Sequence, residues 1–169
     1  MTIKRIFKHL LYPQWLSRRA FPDAAMDRIE AAVAASERTH HGEIFFAVET
    51  ALDTLPLLRG VSARQRALQV FAESGVWDTE ANNGVLIYLL LADRDVEIIA
   101  DRGFQTCVSA DKWGAICQEM EVSFAVGDYE AGVLRGIECI DALLVEYFPV
   151  CADDAKANPN ELSDRPLRL

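Results

Sequence analysis

Residues 82–104, NNGVLIYLLLADRDVEIIADRGF, carry the densest apolar pattern in the chain, with an almost unbroken run over 85–92. Asp93 and Arg94 interrupt it, and a mostly apolar run returns over 96–100. The pattern predicts two adjacent strands joined by a tight turn. A run this apolar leaves no solvated face, so the first strand should be covered on both sides, as in an α/β sheet. Upstream, EIFFAVET over 43–50 alternates weakly around an apolar centre and predicts an earlier strand.

Helical spacing fills most of the rest. A helix is predicted over 23–40, with Asp23 as cap and Met26, Ile29 and Val33 as the buried stripe. A second is predicted over 62–74, with Leu68, Val70 and Phe71 inward, Arg64 and Arg66 reaching acidic neighbours, and Gly75 as the stop. Between strand and helix, 51–61 contains Pro56 and Gly60 and reads as a loop with room for one helical turn. Ser109 or Asp111 should cap a helix through Trp113, Ile116, Cys117, Met120 and Phe124. After a bend at 126–128, a last helix over 129–148 places Val133, Leu134, Ile137, Ile140, Leu144 and Phe148 in one row.

The ends differ from this body. In residues 1–21, Ile3, Ile6, Phe7, Leu10 and Leu11 follow helical spacing, with Lys4, Arg5 and Lys8 elsewhere on the wheel and Pro13 ending the helix. Such a segment can dock on the protein's own acidic body or lie on an anionic membrane surface; docking suits a short chain better. Residues 150–169 have few large apolar side chains and read as a flexible tail. The expected organisation is a basic amphipathic segment over 1–22, one α/β domain over 23–149, and the tail.

Charge sharpens this division. Residues 1–22 hold five basic residues and no acid, whereas 23–149 hold 9 basic and 22 acidic residues, a net −13. So acidic a body would repel a phosphate backbone, which argues against nucleic-acid binding, and would attract cations. Cys107, Cys117, Cys139 and Cys151 have no metal-binding spacing and read as buried, reduced thiols. No stretch has the apolar length of a signal peptide or an integral membrane segment, so a cytoplasmic location is expected.

Topology gathers the candidate chemistry. A strand, a helix and a strand in succession make a right-handed crossover with parallel strands, and the 93–94 turn makes the third strand antiparallel. If Asp93 and Arg94 centre that turn, Ala92 pairs with Asp95, Leu86 with Asp101, and Gly84 with Gly103. Glu43, Asn82, Asn83, Asp101 and Arg102 then share one end of the sheet. The oxygens of Glu43, Asn82, Asn83 and Asp101 suit a hard divalent cation, calcium or magnesium, while Arg102 suits a phosphate or carboxylate. The alternative is a structural end cap, with Asn-Asn-Gly as a turn and a carboxylate paired to an arginine. Adjacent His40 and His41 do not face the same way and better satisfy a helix C-terminus than a metal.

The NNGVLI strand, the charged turn, the glycine-containing closing segment, then Asp111 and the spaced Phe124, Gly127, Tyr129 and Gly132 together resemble the TPM domain family over roughly 23–149. Its members include thylakoid lumen, photosystem II repair and acetylcholine-receptor modulator types. The resemblance implies a three-layer α/β/α sandwich around a small mixed sheet of about four strands. It also implies an acidic cleft for calcium or a similar ion and, in some members, acid phosphatase activity. This chain departs from the usual Gly-x-Gly-Leu-Glu closing segment: Asp101-Arg102-Gly103-Phe104-Gln105 puts Gln105 where the acid is familiar.

The leading expectation is a module that binds a divalent cation through Glu43, Asn82, Asn83 and Asp101 and engages a protein partner. A metal-assisted phosphatase is the alternative, with Asp101 positioning water and Arg102 steadying developing charge as the catalytic candidates. It lacks a nucleophile, and no Ser/His/Asp set is expected, since His9, His40 and His41 lie outside the site. The remaining alternative is a structural adaptor in peripheral contact with a membrane through residues 1–21.

Overall fold

The computed structural model describes residues 3–150 and 160–169. Its elements, in chain order, are α1 (Ile3–Leu10), α2 (Trp15–Ala20), α3 (Asp23–Ser36), β1 (Glu43–Glu49), α4 (Thr54–Leu58), α5 (Ala63–Glu73), β2 (Gly84–Leu90), β3 (Asp95–Ala100), α6 (Ala110–Ala125), α7 (Tyr129–Tyr147) and β4 (Leu167–Arg168). A 3-10 turn, Arg102–Phe104, follows β3. The sheet order is β3-β2-β1-β4, with β1 parallel to β2 and to β4, and β2 antiparallel to β3.

Every residue of β1 and β2 is buried, because helices cover both faces of the sheet. Strand side chains alternate between faces. Ile44, Phe46, Val48, Val85, Ile87 and Leu89 therefore join Ile29, Val33, Met120, Ile137 and Leu144 of α3, α6 and α7 in one core. Phe45, Ala47, Leu86 and Leu90 join Leu57, Ala67 and Val70 of α4 and α5 in the other. The result is the three-layer α/β/α sandwich. Tyr88, on the second face, is accommodated by donating its hydroxyl to Glu49 Oε2 at 2.7 Å, while Arg66 Nε donates to the same oxygen at 2.9 Å.

Several boundaries differ from the periodicity. The first long helix stops at Ser36 rather than near His40, and its N-cap is Pro22 rather than Asp23. In α5, Ala63, Ala67 and Val70 face the core and Leu68 faces solvent; Ser62, in a capping box with Gln65, sets the phase. Ser109 caps α6 by accepting from Lys112 N. Cys107, Cys117 and Cys139 are free thiols but only half-buried; Cys151 lies outside the described residues.

The hairpin register is offset by two residues from the expected one: Leu90 pairs with Asp95, Leu86 with Ile99 and Val85 with Ala100. The amides of Leu91 and Ala92 donate to Glu49 O and Thr50 O instead of turning toward β3. The turn is therefore four residues long, with Arg94 in the left-handed region at φ 56°. An even offset leaves every side chain on its expected face, but Gly84 now meets Asp101 and not Gly103.

The hairpin tip is clamped by α1. Arg5 donates to Asp93 Oδ2 through Nε at 2.9 Å and through a terminal nitrogen at 2.8 Å. His9 Nδ1 accepts from Leu52 N at 3.0 Å, so Nε2 carries the ring proton and donates to Asp93 Oδ1 at 3.0 Å. Burial pushes the Asp93 carboxyl up, but the hydrogen bonds from Arg5 and His9 outweigh it and hold it below the usual carboxylate range. The basic segment is thus docked on the body.

Where a flexible tail is expected, residues 160–169 lie along β1. Glu43 Oε1 and Oε2 accept from Glu161 N and Leu162 N, each at 3.2 Å, and Arg168 donates to Asp23 Oδ1 at 2.8 Å and to Phe21 O. Residues 151–159 of the expected tail lie outside the described residues. Beneath this strap, Glu37 Oε1 accepts from Ile44 N at 3.1 Å. Burial, with Glu43 and Asp164 nearby, pushes its carboxyl from 4.5 up to about 8.

Two outcomes follow. Asp93→Asn should cost about 1–3 kcal/mol in urea denaturation, because it leaves Arg5 and His9 without their anion; an unchanged midpoint would show that the clamp contributes nothing. For Glu37, the folded state binds more protons than the unfolded state between pH 4.5 and about 8, so its contribution to stability declines as pH rises through that window. Glu37→Gln should therefore leave stability nearly unchanged below pH 4.5 and raise it increasingly toward pH 8. Thermal melts across the range would show a gain that does not depend on pH if this assignment were wrong.

Candidate functional site

The start of β1, the start of β2 and the end of β3 do lie at one end of the sheet: Glu43 pairs with Gly84, and Asp101 N donates to Gly84 O at 2.9 Å. Two polar groups are built there. In the first, Asp101 caps the 3-10 turn, its Oδ1 accepting from Arg102 N at 2.7 Å. Arg102 Nε donates to Asn82 Oδ1 at 2.6 Å. Gly103 N donates to Asn82 O at 2.9 Å. Asn82 adopts φ 54°, a left-handed conformation that asparagine tolerates better than most residues. A Cβ on Gly103 would come within 2.5 Å of Asn82 O, so this close approach requires glycine.

The second group lies between β2 and β1. Asn83 N donates to Thr79 Oγ1 at 3.0 Å, and Asn83 Nδ2 donates to His41 O at 2.7 Å. The Glu43 side chain is fully buried beneath the strap and takes its two amides. The expected gathering is therefore partly realised: Asn82, Asp101 and Arg102 are joined directly, while Asn83 and Glu43 engage different partners at the same sheet end.

Two oxygens in this region have no hydrogen-bond partner although buried: Asn83 Oδ1 and Asp101 Oδ2. Asn83 is 1% exposed. Buried acceptors left unpaired cost free energy unless something else satisfies them. Among the described residues, no three His, Cys, Asp or Glu side chains form a group that could hold a metal unaided. The donor set suits a hard cation that keeps much of its water and takes only one or two carboxylates.

Asp101 also lines a cleft of about 450 Å³ along the β3 edge. Arg64, Glu97 and Gln105 supply its polar rim, and Phe104, Trp113 and Cys117 its apolar wall. Arg64 donates to Ile98 O at 2.8 Å and pairs with Glu97 at 3.2 Å, which occupies the sheet edge and blocks strand addition there. Burial pushes the Cys117 thiol up to about 11, which makes it a poor nucleophile. Linear spacing does not reveal this cleft, because its walls come from α5, β3, the 3-10 turn and α6.

A Ser/His/Asp grouping does occur, beside the second polar group and not within the candidate set. Gly42 N donates to His40 Nδ1 at 3.1 Å, so His40 Nε2 donates to Ser36 Oγ at 2.8 Å, and Ser36 Oγ donates to Asp141 Oδ1 at 2.6 Å. Proton donation runs from His40 to Ser36 to Asp141, the reverse of what an activated serine requires. Burial holds the His40 ring below its usual range. The grouping ties α3 to α7 and supplies no nucleophile.

The chain is similar in fold to known proteins. It matches the BA42 protein from the psychrophilic bacterium Bizionia argentinensis at 27% identity and a TM-score of 0.73, over 86% of this chain and 93% of that one. The N-terminal domain of a P. gingivalis protein matches in fold, at 16% identity and a TM-score of 0.62, over 81% of this chain and 90% of that one. No curated protein matches. The family model described as TPM domain matches residues 18–143, and the chain belongs to that family.

Proposed function

We propose that this chain is a TPM-domain module that takes a divalent cation, calcium or magnesium, at the polar end of its sheet and uses the adjoining cleft to engage a partner. The observation that carries this reading is the pair of buried, unpartnered oxygens, Asn83 Oδ1 and Asp101 Oδ2. Asp101 would supply the charge. Glu43 and Asn82 would contribute directly or through water. The cation would neutralise the carboxylate and leave the cleft, with Arg64 at its rim, to select the partner.

Metal-assisted phosphoester hydrolysis is the second reading. What favours it is Arg102 beside Asp101, with its two terminal nitrogens beyond the Asn82 bond able to meet a phosphoryl group. Cys117 and the Ser36–His40–Asp141 chain provide no nucleophile, so this chemistry would rest on water positioned by Asp101.

Calorimetry and thermal melts with calcium and magnesium test the first reading. Binding at millimolar ion should raise Tm by a few degrees. Asp101→Asn, which keeps the cap acceptor for Arg102 N, should weaken binding by about tenfold or more with little loss of fold. No heat and no shift in the wild type, or equal binding by Asp101→Asn, would overturn it. Hydrolysis of p-nitrophenyl phosphate should be abolished by Asp101→Asn if the second reading holds; turnover that survives the substitution would exclude that mechanism.

A further inference from the structure

Docking to the body uses only one face of α1. At about 100° per residue, Arg5, Ile6 and His9 occupy the arc turned toward Asp93, Leu52 and the core beneath α4. Ile3, Phe7, Leu10 and Leu11 fall on another arc and are 74%, 59%, 58% and 78% exposed. Lys4 and Lys8 lie beside that arc, also exposed. Trp15, at the start of α2, is also 57% exposed, and exposed Arg18 and Arg19 follow it. Packed against α1, α4 adds exposed Leu55 and Leu58, with exposed Arg59 at its end.

We propose that this face, α1 with the exposed side of α4, lies on an anionic lipid surface. Charge complementarity selects the occupant. Residues 1–22 carry five basic residues and no acid, on a body of net −13 over 23–149. An anionic bilayer would repel most of the body and attract this pole, which fixes one orientation. Aromatic and aliphatic side chains along an arc bordered by Lys and Arg suit the boundary between headgroups and acyl chains. Among the described residues no helix is long and apolar enough to cross a membrane, so the contact is interfacial. The clamp on Asp93 holds the helix in place before contact, so little ordering is needed on binding.

The test is flotation of the full chain with vesicles of phosphatidylcholine alone and with about a third phosphatidylglycerol. The wild type should float with the anionic vesicles, and rising salt should weaken this as the surface charge is screened. Phe7→Asp/Leu11→Asp changes only exposed positions, so its thermal melt should match wild type while its partition falls about tenfold or more. Lys4→Glu/Lys8→Glu should also lose anionic vesicles. Failure of the wild type to float, or unchanged flotation of Phe7→Asp/Leu11→Asp, would overturn the proposal. So would sedimentation showing a dimer that Phe7→Asp/Leu11→Asp dissociates, in a wild type that binds no vesicles; the face would then join two copies of this chain.

Discussion

The burial of β1 and β2 on both faces is the constraint on which the rest depends. A strand covered on both sides cannot carry a charged side chain in its middle without a partner, and each backbone amide must be paired within the sheet. The middle of β2 is accordingly apolar but for Tyr88, whose hydroxyl is answered by Glu49 and, through it, Arg66. Polar chemistry is displaced to the strand ends. At one end Asp93 gathers Arg5 and His9 and fixes the N-terminal helix; at the other, Asn82, Asp101 and Arg102 are joined, Asn83 bonds elsewhere, and Asp101 and Asn83 each keep an oxygen without a partner.

The two ends differ in how their carboxylates are answered. Asp93 itself is saturated: both carboxylate oxygens accept hydrogen bonds and both nitrogens of His9 are used, while the buried hydroxyl of Thr50 at the same end has no partner. The opposite end combines a left-handed Asn82, a close backbone approach that only Gly103 permits, and two unanswered oxygens. Local strain and unmet hydrogen bonds are retained where the surroundings enforce them and commonly accompany a binding role.

Much of this was legible in the sequence because it is periodic. The unbroken run of β2 specified a covered sheet, the weakly alternating, apolar-centred 43–50 specified its neighbour, and the row from Val133 to Leu144 specified a buried helix. What depends on distant partners was not legible. The hairpin register differs by two residues because Leu91 and Ala92 bond to the continuation of β1, a choice no local turn signal encodes. The strap over 160–169 carries only a short apolar signal, Leu162 and Leu167, because much of its hold comes from backbone amides on Glu43, pairing with β1 and Arg168. Among the site residues, the shared sheet end followed from topology, but the separation of Glu43 from Asp101 by different partners did not. The TPM resemblance added the outer layers and a likeness in fold, while the replacement of the familiar acid by Gln105 leaves the site to be judged on its own atoms.

Backbone amide resonances followed through a calcium or magnesium titration test the central claim most directly. A cation at the polar sheet end should move the amides of Asn83, Arg102 and Gly103, and Asp101→Asn should abolish those movements while leaving the Asp93 turn unaffected. Shifts spread over the acidic surface, or none at millimolar ion, would contradict a site at the end of the sheet.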